Sequence, residues 1–279
     1  MLSVKIAAIA GAAALIATTA NAADMPELLP PNVPPIEASF GWYLRGDIGF
    51  TNQRVKSANF NYGVLAPPDS VQTVSKEFET GGLFGIGIGY QFNNWLRADI
   101  TGEYRTASTF HGFEINNFAG TLVPEHDTLI KTEWVMLANI YADLGTWWSV
   151  TPFVGAGIGG ANVRLSGFTD TVIGNSIPAL VNANNYADAG SQWNFAWAVH
   201  AGLAYAVTPA FTIELAYRYL NLGDGKTGSP ILGFDGSYQG DGYELNDIYS
   251  HDVKFGVRWL LEPPMPAQPF MPPPIMRRG

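Results

Sequence analysis

The chain has 279 residues, 24 Asp and Glu against 15 Lys and Arg, a formal net charge of -9 and no cysteine. The missing Cys excludes disulfides, thiolate catalysis, Cys-ligated zinc and iron–sulfur clusters, and the acidic balance argues against a nucleic-acid partner. Charged residues make up only 14% of the chain, where about 25% is usual, so its outer surface need not be ionic.

Residues 1–22 read as a secretory signal peptide, with Lys5 in the n-region, an apolar stretch from Ile6 to Ala17 and the small-x-small site Ala20-Asn21-Ala22. That apolar run is too short to span a membrane as a helix, and no apolar stretch of about 18 residues follows it. Residues 23–37 form a Pro-rich segment and residues 262–279 a Pro-rich tail; together they hold 12 of the 19 prolines and should be extended rather than packed. The compact part is therefore 38–261.

Within it, period-two alternation recurs eight times. The first segment sets Trp42, Leu44, Ile48 and Phe50 against Tyr43, Arg45, Asp47 and Gly49. The second sets Phe84, Ile86, Ile88 and Tyr90 against Gly85, Gly87 and Gly89, and the third sets Leu96, Ala98, Ile100 and Tyr104 against Arg97, Asp99, Glu103 and Arg105. Next come Met136, Ala138, Ile140 and Leu144 opposite Asn139, Tyr141 and Asp143, then Val154 and Ile158 opposite Gly155, Gly157 and Gly159. The sixth runs from Trp193 to Tyr205 with His200 on the other face. The seventh sets Ile213, Leu215 and Tyr217 against Glu214 and Arg218, and the eighth sets Val253, Phe255, Val257 and Trp259 against Asp252, Lys254 and Arg258. A helical period would scatter these sets around its circumference, so they are expected to be strands of about 9–12 residues.

Connections at 93–95, 145–151 and 208–210 are short, whereas 51–80, 106–132, 166–192 and 221–249 read as long loops. Short turns at one end and long loops at the other is the pattern of an outer-membrane barrel with periplasmic turns. An even strand number places both termini in the periplasm. The charges decide which face is inside. Arg45, Asp47, Arg97, Asp99, Glu103, Arg105, Asp143, Glu214, Arg218, Asp252, Lys254 and Arg258 share one face, six of each sign, and the other face is apolar and bulky. Turned inward, those aromatic and branched residues would overfill an eight-stranded barrel, which disfavours a soluble lipocalin-like alternative. The expected fold is an all-β, eight-stranded, antiparallel transmembrane up-and-down barrel with four long extracellular loops and a lumen closed by paired charges.

The segments Trp42-Tyr43-Leu44-Arg45-Gly46-Asp47-Ile48-Gly49, Leu137-Ala138-Asn139-Ile140-Tyr141-Ala142-Asp143, Tyr217-Arg218-Tyr219-Leu220-Asn221-Leu222-Gly223 and His251-Asp252-Val253-Lys254-Phe255-Gly256-Val257-Arg258-Trp259 resemble the small outer-membrane barrels of alphaproteobacteria. These are porin-family surface antigens related to opacity-type and OmpA-type barrels. The resemblance covers about 40–261. It implies an integral protein of a Gram-negative outer membrane with an envelope-integrity and surface-antigen role. Such barrels often finish at a terminal aromatic read by the assembly machinery; here the chain runs on past Leu261, so that signal would be internal, at Trp259.

Other motifs imitate chemistry. Gly155-Ala156-Gly157-Ile158-Gly159-Gly160 matches a dinucleotide fingerprint as a string, yet no helix follows it. The acids Asp224, Asp235, Asp241, Glu244 and Asp247 lack EF-hand spacing and read as a solvated loop. Ser250 and His251 are adjacent, so their side chains face opposite ways in a strand, which argues against a nucleophile–base pair. His111 and His126 share one long stretch and are weak candidates for metal or haem. No cofactor and no enzymatic activity are expected. The expected partners are outer-membrane lipid, lipopolysaccharide and the barrel-assembly machinery, with peptidoglycan or periplasmic proteins reached through the Pro-rich ends. Two alternatives stand beside this reading: a small porin or haem receptor, and a lipid-modifying enzyme.

Overall fold

A computed structural model describes residues 40–173 and 184–261, all within the unit Ile36–Gly279. The signal peptide, the Pro-rich segment and the Pro-rich tail lie outside the described residues. Twelve strands are present among them: β1 (Gly41–Asn61), β2 (Ser70–Phe78), β3 (Gly81–Gln91), β4 (Leu96–Phe118), β5 (Thr121–Asp143), β6 (Val150–Val172), β7 (Asn184–Ala187), β8 (Gly190–Ala206), β9 (Phe211–Lys226), β10 (Ile231–Gly233), β11 (Tyr238–Gly240) and β12 (Gly242–Leu260).

Eight of them close on themselves in the antiparallel order β1-β3-β4-β5-β6-β8-β9-β12, with β12 back on β1. The register fixes the shape. Cross-strand partners lead from Phe211 through Trp259, Leu44, Ile88, Ile100, Ala138, Ile158 and Trp197 to Asn221, which is ten residues further along the starting strand. A closed sheet with that stagger must tilt its strands by about 40°. No backbone edge is then left in hydrocarbon, where each unpaired group would cost several kcal/mol.

The lipid-facing surface is apolar between two aromatic girdles. Trp42 packs on Tyr90 at 5.3 Å and Tyr90 on Phe92 at 5.1 Å near the short turns. Tyr104 meets Trp134 at 4.9 Å, Trp197 meets Tyr219 at 5.4 Å and Tyr219 meets Tyr249 at 5.7 Å at the other end. Trp134 on β5 and Leu144, just past its end, bound the belt and are ten residues apart, about 33 Å along a strand and about 25 Å of membrane after tilt.

Among the described residues the expected long loops are largely strand, and 174–183 of the expected loop 166–192 lies outside them. β4 and β5 run on to a tight turn at Ala119 and Gly120, both at positive φ. β1 continues to Asn61 on β12 alone, and β2 lies on β4 alone. β7 pairs antiparallel with the outer end of β6 and carries β10, which in turn carries β11. The reason is visible in the side chains. Above the outer girdle the alternation persists but its sense inverts. Phe110, Leu129, Leu165, Phe168, Tyr243, Leu245 and Ile248 point inward and are fully buried, while Arg54, Lys56 and Arg164 point outward. Once the outside of the sheet meets water instead of lipid, the ordinary arrangement of apolar core and polar surface returns.

Candidate functional site

The membrane part of the lumen is filled by ion pairs. The inward positions of facing strands place acids and bases in reach of one another, and glycines make space for them: a methyl at Gly89 would meet the Tyr43 ring at 2.3 Å, and one at Gly256 would meet Asp47 Oδ1 at 2.7 Å. Near the turns Arg97 contacts Asp143 at 3.1 Å and Glu214 at 3.3 Å, and its guanidinium lies 4.2 Å from the Tyr141 ring centroid. Arg258 also contacts Glu214, at 3.5 Å. One layer up, Arg45 donates to Asp47 at 2.8 Å and Asp99 at 2.7 Å, and Lys254 lies 3.4 Å from both Asp47 and Glu103. The outermost layer joins Arg105 and Arg218 on one carboxylate: Arg105 donates to Asp252 at 2.9 and 3.0 Å, and Arg218 donates to it at 2.9 and 2.6 Å. Arg218 also reaches Glu103 at 2.5 Å.

All twelve residues singled out from the sequence thus stand on the inner face, eleven of them buried and Arg258 nearly so. His200 stands among them, its Nε2 3.2 Å from Asn139 Oδ1. Lys131, Glu133 and Gln53 complete the network: Arg105 Nε lies 2.8 Å from Glu133, and Lys131 bonds both Glu133 and Gln53. Sequence reasoning missed these three because they fall in or beside stretches read as loops. The signal that would have found them is the unbroken alternation Lys131, Glu133, Val135, Leu137.

A second charged group lies higher, inside the extension. Glu114 on β4 is the direct cross-strand neighbour of Glu125 on β5, and Asp127 on β5 is that of Asp170 on β6. Like charges set opposite one another repel, and these are shielded from water. Tyr243 donates to Asp127 at 3.1 Å, Asn116 to Glu125 at 2.6 Å and Asn185 to Asp170 at 2.8 Å. Burial, reinforced by Asp170 across the sheet, pushes Glu125 up to about 8. Burial pushes Asp170 up to about 6 and holds Asp127 well above the usual carboxylate range, with the neighbouring acids adding to it. Burial also raises Glu114, which Thr73 and Lys76 partly offset. Glu125 therefore keeps its proton at neutral pH.

His111 and His126 come together on the outer face of β4 and β5, ring centroids 5.9 Å apart, with Glu79 3.7 Å from His111. Among the described residues no group of three or more His, Asp or Glu is arranged to hold a metal ion. Ser250 is fully buried inside, whereas His251 lies outside and bonds Tyr217 at 2.6 Å. Glu244 pairs with Lys226 at 2.8 Å, and Asp224 Oδ1 accepts the Asp247 amide at 2.7 Å.

Comparison with known proteins gives the following. Residues 10–259 match the family model of the outer membrane protein β-barrel domain. An uncharacterized protein of Brucella suis is 31% identical over 75% of this chain and 78% of its own. Outer membrane protein PagN of Salmonella typhimurium is 32% identical over 67% of this chain and 76% of its own. A protein of Rickettsia typhi named as a candidate adhesin is 28% identical over 78% of this chain and 87% of its own.

Proposed function

The chain belongs to the outer-membrane β-barrel family, and from that premise we propose that it is a closed membrane anchor holding a rigid, folded platform outside the cell for surface attachment. It is an integral protein of a Gram-negative outer membrane with a surface role. The observation that carries the finer reading is the inversion above the outer girdle. A sheet that only had to cross the membrane would end there. This one continues on β4, β5 and β6, to Phe118, from Thr121 and to Val172, and wraps its own apolar core.

The lumen below that core is packed with paired charges, which supports a plugged barrel rather than a pore. The candidate adhesin of Rickettsia typhi, similar along most of its length, supports attachment as the task of the platform. No catalytic role is proposed: Ser250 and His251 occupy opposite faces of the wall.

The test is gain of attachment. Expressed in a non-adherent laboratory strain, the full chain should raise the number of bacteria retained on epithelial cells. A variant with the β4–β5 hairpin shortened above Ser108 and Lys131 should lose that gain while still migrating as a heat-modifiable barrel. Equal retention by the empty strain and the strain carrying the full chain would remove the adhesive reading.

A further inference from the structure

Above the outer girdle the sheet stands in water, and part of its outer wall carries the charges that water favours. Arg54 and Lys56 point outward from β1, and Glu77 on β2 and Glu79 just past it are exposed. The wall of β4, β5 and β6 is different. Its outward positions form two rows across the three strands: His111, Thr128 and Thr169 in one, Phe113, His126 and Thr171 in the next. The two imidazoles stack 5.9 Å apart, and the hydroxyls of Thr128 and Thr169 bond at 2.5 Å. On β5 the exposed Leu122 and Ile130 stand to either side of these rows. Among the described residues, no outward position between Thr109 and Asn117, Leu122 and Ile130, or Ser166 and Thr171 is Asp, Glu, Lys or Arg. A water-facing wall stripped of charge, with aromatic rings at its centre, has the composition of an interface core.

The membrane restricts what can meet this wall. Two copies in one bilayer stand upright alike, so a twofold axis relating them must run along the membrane normal. Each level of one copy then faces the same level of the other, and a residue near the axis faces itself. A charge there would oppose its own like. The wall of β1, with Arg54 and Lys56, fails that condition, and the wall of β4, β5 and β6 meets it. The same axis lays the left flank of one copy against the right flank of the other. Those flanks differ in sign: Glu77 and Glu79 stand on the β2 side, which pairs with β4, and the exposed Arg164 stands on the β6 side. A partner from another cell is under no such constraint. An uncharged centre between flanks of opposite sign is therefore the pattern of self-association.

We propose that two copies of this chain dock through the outer wall of β4, β5 and β6 above the membrane, with Thr128 near the axis and Arg164 of each copy toward Glu77 and Glu79 of the other. The inference goes beyond the attachment reading and does not depend on what the platform holds.

The chain has no cysteine, so single cysteines report contact between copies directly. In outer membranes carrying the full chain, mild oxidation of Thr128→Cys or Thr169→Cys should give a disulfide-linked two-copy band, and Arg54→Cys should not. Light scattering of the unaltered chain in mild detergent should give the mass of two copies. Thr128→Lys, which sets two cations against each other at the axis, should weaken that association by at least about tenfold. Absence of a linked band from both Thr128→Cys and Thr169→Cys overturns the proposal. So does linkage of Arg54→Cys as strong as theirs, a one-copy mass for the unaltered chain, or an unchanged two-copy mass for Thr128→Lys. Heat-modifiability of each variant confirms that the barrel itself has formed, so loss of association is read only on folded protein.

Discussion

Asp252 accepts hydrogen bonds from two guanidiniums, those of Arg105 and Arg218, while fully buried. A buried ion pair is weak evidence of net stability, because desolvation offsets the attraction, but removing one partner leaves an uncompensated charge. Asp252→Ala strands two cations, with Glu103 and Glu133 left as their partners. It should cost about 3–5 kcal/mol, read as a lower denaturant midpoint for loss of the heat-modifiable form in micelles. Arg258→Ala is the control. That residue is the least buried of the inner-face charges and touches Glu214 only at 3.5 Å, and Glu214 keeps Arg97 at 3.3 Å, so the loss should be much smaller. The twelve inner-face charges were legible because each alternates with a bulky apolar neighbour. Their pairing was not: Arg45 meets Asp99 and Glu214 from strands far away in the chain, and period two says which face a side chain takes but not its height in the barrel.

At the scale of elements, the hairpin of β4 and β5 changes character halfway along. Below Trp134 it is built for lipid; above, it holds Glu114, the half-buried Glu125 and, with β6, Asp127 and Asp170 in inward-facing cross-strand pairs. The native state holds these groups protonated at pH values where an unfolded chain would have released them. Their stabilisation is therefore complete below the unfolded carboxylate range, about pH 4, and is lost as pH rises through about 6 for Asp170 and about 8 for Glu125. Hydrogen exchange of residues 112–127 and 168–171 should speed up between pH 5 and pH 9 by more than intrinsic chemistry accounts for. Glu125→Gln should flatten that rise, and an unchanged profile in the variant would place the pH response elsewhere. Sequence reasoning read this hairpin as loop because its tip is polar outside and its inner acids break the apolar series. Yet Phe110, Gly112 and Glu114 against Leu129, Asp127 and Glu125 keep period two without interruption. The membrane strands were visible because lipid makes their two faces chemically opposite. The extension was hidden because water and a small core leave less contrast.

The barrel formed by the described residues is a tube stoppered twice, first by salt bridges at membrane depth and then by an apolar core with its acids. The two stoppers predict different failures. Opening the upper one alone leaves Arg45, Arg105 and Arg218 spanning the lumen, so planar-bilayer recordings of a chain cut back at the girdle should still show no stable steps. Opening the lower one requires removing the long cations that cross it. In that truncated background, replacing those three arginines by Ser would leave Asp47, Asp99, Glu103, Glu214 and Asp252 with Lys254, Arg97 and Arg258 as the remaining nearby bases. The vacated volume is polar and roomy, so water enters it, and the surplus carboxylates set the sign of the field inside. The expected outcome is small conductance steps whose reversal potential in a salt gradient reports cation selectivity, seen only when the arginine substitutions and the truncation are combined. Anion-selective steps would mean that the bases and not the acids govern the lumen. Steps in the unaltered chain would mean that neither stopper closes it.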